Sequence, residues 1–450
     1  MKKNSFTKLV GFALVAALTF AGCGSGSTIK DDISFGPDPG PSPTITPIPS
    51  GFLADVDQVN IPVAPSVSQA LTNPTGSATV EWAGEIKQVV VDGFNLENNG
   101  RLLIATDEGF VPVVDEATST QAVLNRPFQV ISYVDNDDVF PDALFISAGA
   151  GQNNPNDGRI VRVTNFQQNA GVFSATFDEI ASGTNPAFMT IVENVSNRDY
   201  VYFTEYASNP NGLVSRIPVD QPVGPPVAGD VVARGFTFPA GIDHNGTTLV
   251  IAEAVGGLNG QIYTLPLSAP IPDPGFQDGS TQLKRVAANG SDPAFVQPFV
   301  VRDDRNNGIY VSEGGTVPLP GGVFPQPIAQ QGKVRFISDE SAASDTPVAQ
   351  LVVNQLNPVA FVDAIDSELD GTTALLFCEQ IANGGRVFRA LVDTANVSVI
   401  PVGDLTLTDT AGAANTPFFV RILSESVPAF FAMFNPDLPN QGIFRFYSAD

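Results

Sequence analysis

The sequence predicts an all-β chain: a seven-bladed β-propeller of four-stranded blades, closed by an N-terminal strand and carried behind a signal peptide and a Pro-rich tether. Three observations predict it. From about residue 55 onward, short β-branched and aromatic runs are separated by Gly, Asn, Asp and Pro clusters, and no stretch of a dozen residues keeps helical periodicity. A proline-led segment returns at Pro127, Pro186, Pro239, Pro298, Pro358 and Pro417, at intervals of 59, 53, 59, 60 and 59 residues. Gly (41) and Pro (37) are too frequent for a helical bundle and too sparse for collagen or disorder in a chain of 450 residues.

Each proline segment, such as RPFQVISYV or FPAGIDHNG, is followed by a polar turn and an apolar run: ALFISAG, YVYFTEY, TLVIAEA, GIYVSEG, ALLFCEQ and AFFAMFN. A third run opens with Gly at 158, 212, 260, 332, 385 and 442. A fourth precedes the next proline, as in SATFDEIAS, GDVVARGF and TQLKRVAA. Runs this continuously apolar belong to strands buried on both faces, as blades are when they stack on their neighbours. An earlier unit in 86–116 brings the number to seven, and the last unit stops after its third run at Asp450. The exposed edge left there calls for a strand from 57–83, either QVNIPVA or ATVEWAG.

The first residues divide into a leader, 1–22, and a tether, 23–54, ahead of the propeller at 55–450. Lys2, Lys3 and Lys8 precede an apolar stretch of about twelve residues, short of the roughly twenty that span a bilayer but suited to a signal peptide. Ala21-Gly22-Cys23 then resembles the cleavage site of a bacterial lipoprotein, with Phe20 where Leu is usual. That resemblance makes Cys23 the lipidated first residue of an exported, envelope-anchored protein. Gly24 after it points by the same resemblance to the outer membrane. Ordinary cleavage and an uncleaved anchor are the alternatives. The tether alternates Pro with Gly, Ser and Thr, and about 30 such residues span roughly 30 Å. Cys378, the second cysteine, has no partner once Cys23 is acylated, so it reads as a small buried hydrophobe.

Beyond the leader, 19 basic groups face 47 acidic ones, a net charge of −28. Nucleic acid is excluded as a partner, because binding phosphate requires a basic surface. Membrane contact is expected through the lipid alone.

The unit FPAGIDHNGTTLVIAEAVGGLNGQIYTLPL resembles the NHL and SMP-30/gluconolactonase/paraoxonase class of propellers, whose repeat runs Pro-x-Gly-Ile, a Gly turn, an apolar strand ending in an acid, then Gly-x-Ile. The resemblance implies a propeller. In the hydrolases of that class it also implies a divalent cation held in the central channel near the proline segments. Here the residues after the prolines are Phe128, Ala187, Ala240, Phe299, Val359 and Phe418, which are apolar. The chemistry of that class also uses histidine as a base, and this chain has only His244, in the turn Asp243-His-Asn-Gly, where it reads as a solvent-facing turn residue.

The sequence offers two sets of candidate residues. Glu205, Glu253, Glu313 and Glu379 end four consecutive second runs and fall on one rim. As a ring they suit calcium or another divalent metal; as a repeated structural device each accepts backbone N–H groups in its own blade, and this plainer reading is preferred. Phe128, Phe299 and Phe418, with Val323 and Phe324 in the long segment 314–331, form a candidate apolar rim, or else packing. The acid-rich turns at 135–138, 303–308 and 366–371 read as ordinary turn chemistry. The expected function is a non-enzymatic module binding an envelope protein or glycan, with no cofactor assigned. The alternative is a metal-dependent hydrolase or lyase using the four glutamates.

Overall fold

The computed structural model describes residues 56–449 apart from 61–70, 316–331 and a number of other connecting stretches, and it describes side chains mainly between 71 and 354. Strand β1 (Val56–Asn60) precedes the first blade and is not paired into it. Blade one is β2 (Gly76–Trp82), β3 (Glu85–Asp92), β4 (Arg101–Thr106) and β5 (Gly109–Pro112), paired in that order. The short strands β6 (Val114–Asp115) and β7 (Thr120–Gln121) come next. Blade two is β8 (Pro127–Tyr133), β9 (Ala143–Ala148), β10 (Gly158–Asn169) and β11 (Val172–Gly183), and blade three is β12 (Pro186–Val192), β13 (Tyr200–Glu205), β14 (Gly212–Pro218) and β15 (Asp230–Phe236). Blade four holds β16 (Pro239–His244), β17 (Thr248–Glu253), β18 (Gln261–Pro266) and β19 (Lys284–Arg285). After β20 (Ala287–Ala288), blade five is β21 (Pro298–Asp303), β22 (Gly308–Glu313), β23 (Lys333–Ser338) and β24 (Val348–Asn354), with the helix α1 (Asp339–Ala343) before its last strand. Blade six is β25 (Val359–Asp366), β26 (Thr373–Ile381), β27 (Gly384–Val392) and β28 (Val397–Gly403). The last sheet is β29 (Thr416–Arg421), β30 (Ala429–Phe434) and β31 (Ile443–Ala449), completed by β1.

This is the predicted all-β propeller arrangement. The first strands of successive sheets lie side by side, β2 on β8, β8 on β12, and so on through β29. Apolar clusters fill the spaces between sheets. Ala78, Val89 and Ile104 of blade one meet Val130, Leu144 and Val163 of blade two, while Val250 and Ile262 of blade four meet Val311 and Ile337 of blade five. Each fully buried Val or Ile contributes about 1.5–3 kcal/mol. On blade one, Val90 and Leu103 alternate with the residues that face blade two, and both are 0% exposed. That sheet is therefore covered on its far face as well.

The N-terminal strand closes the last sheet. Val56 pairs with Ala449 and Asn60 with Arg445, antiparallel, so of the two candidate segments QVN does the closing. ATVEW instead forms the inner strand of blade one, because its alternating Ala78, Val80 and Trp82 have the blade-two cluster to pack on. TQLKRVAA is also not one strand. Lys284 and Arg285 finish blade four, then Ala287 and Ala288 cross to pair parallel with β24 of blade five. β6 does the same against β11, and Val227 bridges β11 further along at Ala181. These crossovers cover outer-edge backbone groups that would otherwise be open to pairing.

Candidate functional site

Six inner strands share one irregularity. Immediately after Pro127, Pro186, Pro239, Pro298, Val359 and Pro417, the register with the second strand slips, which is the signature of a β-bulge. Proline lacks an N–H and is tolerated where the ladder begins or bulges. A bulge leaves backbone groups unpaired, and side chains near the end of the second strand take them up. Ser147 Oγ accepts from Gln129 N at 3.1 Å. Thr204 Oγ1 accepts from Phe188 N at 3.2 Å and lies 3.1 Å from Ala240 O, to which it donates across the seam to blade four.

The acids lie one step further along. Pro186 pairs with Glu205, Pro239 with Glu253, Pro298 with Glu313 and Val359 with Glu379. Glu253 accepts from Thr237 N and, at 3.2 Å, from the Tyr263 hydroxyl. Glu313 accepts from Val296 N at 2.8 Å and from Arg335 Nε. Glu205 accepts from Ser215 Oγ. Ser215, Tyr263 and Arg335 each stand three residues after the Gly that precedes or opens the third strand, so one site in the blade is served by three different donors. Burial pushes the Glu313 carboxyl above the usual range, opposed by Arg335, the Val296 N–H and Lys333. For Glu379 the ladder gives the backbone partners Val359 and Arg386, and its side chain lies outside the described residues.

Sequence reasoning missed a fifth acid. Asp92 ends the second strand of blade one and pairs with Arg101, just as Glu205 pairs with Leu213 one residue past a glycine. Arg101 Nε and Nη2 reach Asp92 Oδ2 at 3.0 and 2.9 Å, and both side chains are buried. The signal was present as an acid closing an apolar run, VVVD, ahead of Gly100-Arg101.

The recurring glycine and proline meet across blades. A Cβ on Gly212 would come within 2.5 Å of Pro239 Cδ, and one on Gly100 would be closer still to Pro127. Three residues ahead of each proline, Leu124, Phe236 and Phe295 pair with Gly100, Gly212 and Gly260 of the preceding blade. The segment entering a blade is therefore held by the previous blade's glycine, and in blades four and five by its own blade's glutamate as well.

His244 is not a solvent-facing turn residue. It ends β16 half-buried, its Nε2 2.7 Å from Ile191 O of blade three, while its Nδ1 accepts from Gly246 N at 2.9 Å. A carbonyl only accepts, so Nε2 carries the proton. Of the two readings of Phe128, rim or packing, the structure shows packing. Phe128 is 1% exposed and stacks edge-to-face on Phe188 at 5.0 Å, because the bulge turns it into the space between blades two and three. Phe299 and Phe418 follow the prolines of β21 and β29, with side chains outside the described residues, and Val323, Phe324 and Cys23 lie wholly outside them. Among the described residues, no three His, Cys, Asp or Glu side chains gather as a metal-holding group.

No protein-family model and no curated protein matches the chain. Several solved structures are similar to the chain. A glucose dehydrogenase is 12% identical, with a TM-score of 0.38, over 77% of this chain and 99% of that one. The PQQ-bound aldose sugar dehydrogenase of Streptomyces coelicolor is 12% identical, with a TM-score of 0.39, over 88% and 98%. The Penicillium chrysogenum α-L-arabinanase in complex with arabinobiose is 12% identical, with a TM-score of 0.42, over 76% and 99%. Those activities belong to those proteins.

Proposed function

We propose that the chain is a lipid-anchored β-propeller of the cell envelope that binds a protein or glycan on its loop-bearing rim and turns over no substrate. One observation carries this reading. The carboxylates that would make a channel reactive are engaged within the fold: Glu205, Glu253 and Glu313 accept from donors of the protein itself. A carboxylate whose lone pairs meet internal N–H and O–H groups has less to offer a cation. What remains for ligands is the rim, where Phe299, Phe418, Val323 and Phe324 are the proposed contacts. The seven sheets are inferred to close as one disc, and Cys23 carries the lipid that holds it at the outer membrane.

The deciding experiment is metal analysis of the purified full chain after exhaustive dialysis without chelator. The binding-module reading expects no stoichiometric divalent metal. One metal per chain, lost in Glu253→Gln, would overturn it in favour of a metal-dependent hydrolase or lyase.

A further inference from the structure

The turn from β16 to β17 assembles the parts of a reaction. We propose that Asn245-Gly246 is a self-deamidating pair, driven by His244 and converting Asn245 to aspartate or isoaspartate at the seam between blades four and five.

The nucleophile is the Gly246 backbone nitrogen, and its N–H donates to the unprotonated Nδ1 of His244 at 2.9 Å. The Ile191 carbonyl fixes that tautomer from the other side of the ring. His244 is thus a general base already in contact with the proton to be removed. The electrophile is Asn245 Cγ. Its Oδ1 accepts from Thr248 N at 2.9 Å, Thr247 Oγ1 at 3.0 Å and Thr247 N at 3.1 Å. Three donors on one amide oxygen polarise the carbonyl and stand where negative charge develops as the tetrahedral centre forms. The leaving nitrogen, Nδ2, donates to Asp339 Oδ1 at 2.9 Å. Gly246 is exposed, with nothing within 4 Å of where a Cβ would be, so its peptide has room to turn from His244 onto Cγ.

The atoms balance with water as the one co-reactant. The Gly246 proton passes to His244 Nδ1 and the N–Cγ bond forms. Nδ2 takes the proton, the Cγ–Nδ2 bond breaks, and ammonia leaves a succinimide. Water then opens either carbonyl of the ring. Nothing is oxidised or reduced. The product places a carboxylate against Asp339 where an amide had donated to it, so one tie between β16–β17 and α1 becomes a repulsion.

Ordered structure usually slows this chemistry by holding the peptide still, so the test compares folded with unfolded chain. The full chain is incubated at neutral pH in buffer and in guanidinium, and deamidation is followed by peptide mapping. Six further Asn-Gly pairs, at Asn99, Asn211, Asn259, Asn289, Asn307 and Asn383, serve as internal comparisons. Asn245 is expected to react faster folded than unfolded, by about tenfold or more, a modest share of the roughly 10²–10⁴-fold that a positioned general base supplies. His244→Phe is expected to abolish that excess. A folded rate no greater than the unfolded rate overturns the proposal, as does a folded His244→Phe protein with undiminished rate. The comparison on the unaltered chain decides the matter if the variant does not fold.

Discussion

Gly212 and Pro239 touch across two blades so closely that a single added methyl group would sit 2.5 Å from the proline ring. The same methyl would also lie 2.9 Å from the backbone oxygen of Phe236. Gly212→Ala is therefore expected to lower stability by about 1–3 kcal/mol through overpacking. Gly224→Ala has nothing within 4 Å of its new Cβ and is expected to be neutral, or stabilising by up to about 1 kcal/mol. Urea midpoints of the two variants check this, and equal effects would refute the interlock.

Glu253 holds the backbone N–H of Thr237 just ahead of Pro239. Glu253→Ala leaves that donor without its acceptor and is expected to cost about 1–3 kcal/mol. Glu253→Gln keeps an acceptor oxygen and should cost less. A melt of each variant with and without chelator checks both points, and a chelator-dependent difference would point to a cation instead.

Asp92 and Arg101 are an ion pair out of reach of water. Asp92→Leu alone removes the carboxylate from a buried guanidinium and is expected to cost about 3–5 kcal/mol. The double variant Asp92→Leu/Arg101→Leu should recover most of the loss, because it removes both desolvation penalties. Denaturation of the three proteins tests this, and a double variant as weak as the single one would contradict it.

The upward shift of the Glu313 pKa, caused by burial, has a pH consequence. When a folded carboxyl titrates above its unfolded value, its stability contribution is complete below the unfolded value and is lost as pH rises through the folded one. Glu313→Gln cannot ionise. The stability of the unaltered chain relative to this variant should therefore fall as pH rises from the ordinary carboxylate range toward neutrality. Paired denaturation series across that interval measure the slope, and a difference that rises with pH would reverse the sign.

Strand β1 closes the last sheet through five residues at the opposite end of the chain from β31. Deleting residues through Asn60 should expose the β31 edge and produce concentration-dependent association. Light scattering over a dilution series checks it, and a monomer at every concentration would show that β1 is dispensable.

Much of the fold was legible because its signals are local and repeated. Pro at the head of an inner strand, an apolar second strand and a glycine at the third recur at nearly constant spacing, and each answers to a local backbone requirement. The four glutamates were legible as a recurring position too, but not their use: whether a carboxylate meets an N–H two residues ahead of a proline or faces an open channel depends on the bulge, which is a matter of register. Asp92 escaped notice because it is one carbon shorter and sits in the least regular unit. Phe128 could be read either as rim or as packing, and only its place in the bulge, against Phe188 of the next blade, decides for packing.

By itself, the sequence determined the all-β class, the repeat and its period, since these arise from residue chemistry summed over short windows. Tertiary structure alone decided that QVN rather than ATVEW closes the last sheet, that Gly212 lies under Pro239, and that His244 reaches Ile191. Each of those relations joins residues far apart in the chain, and only the stacking of one sheet on the next sets the distance between them.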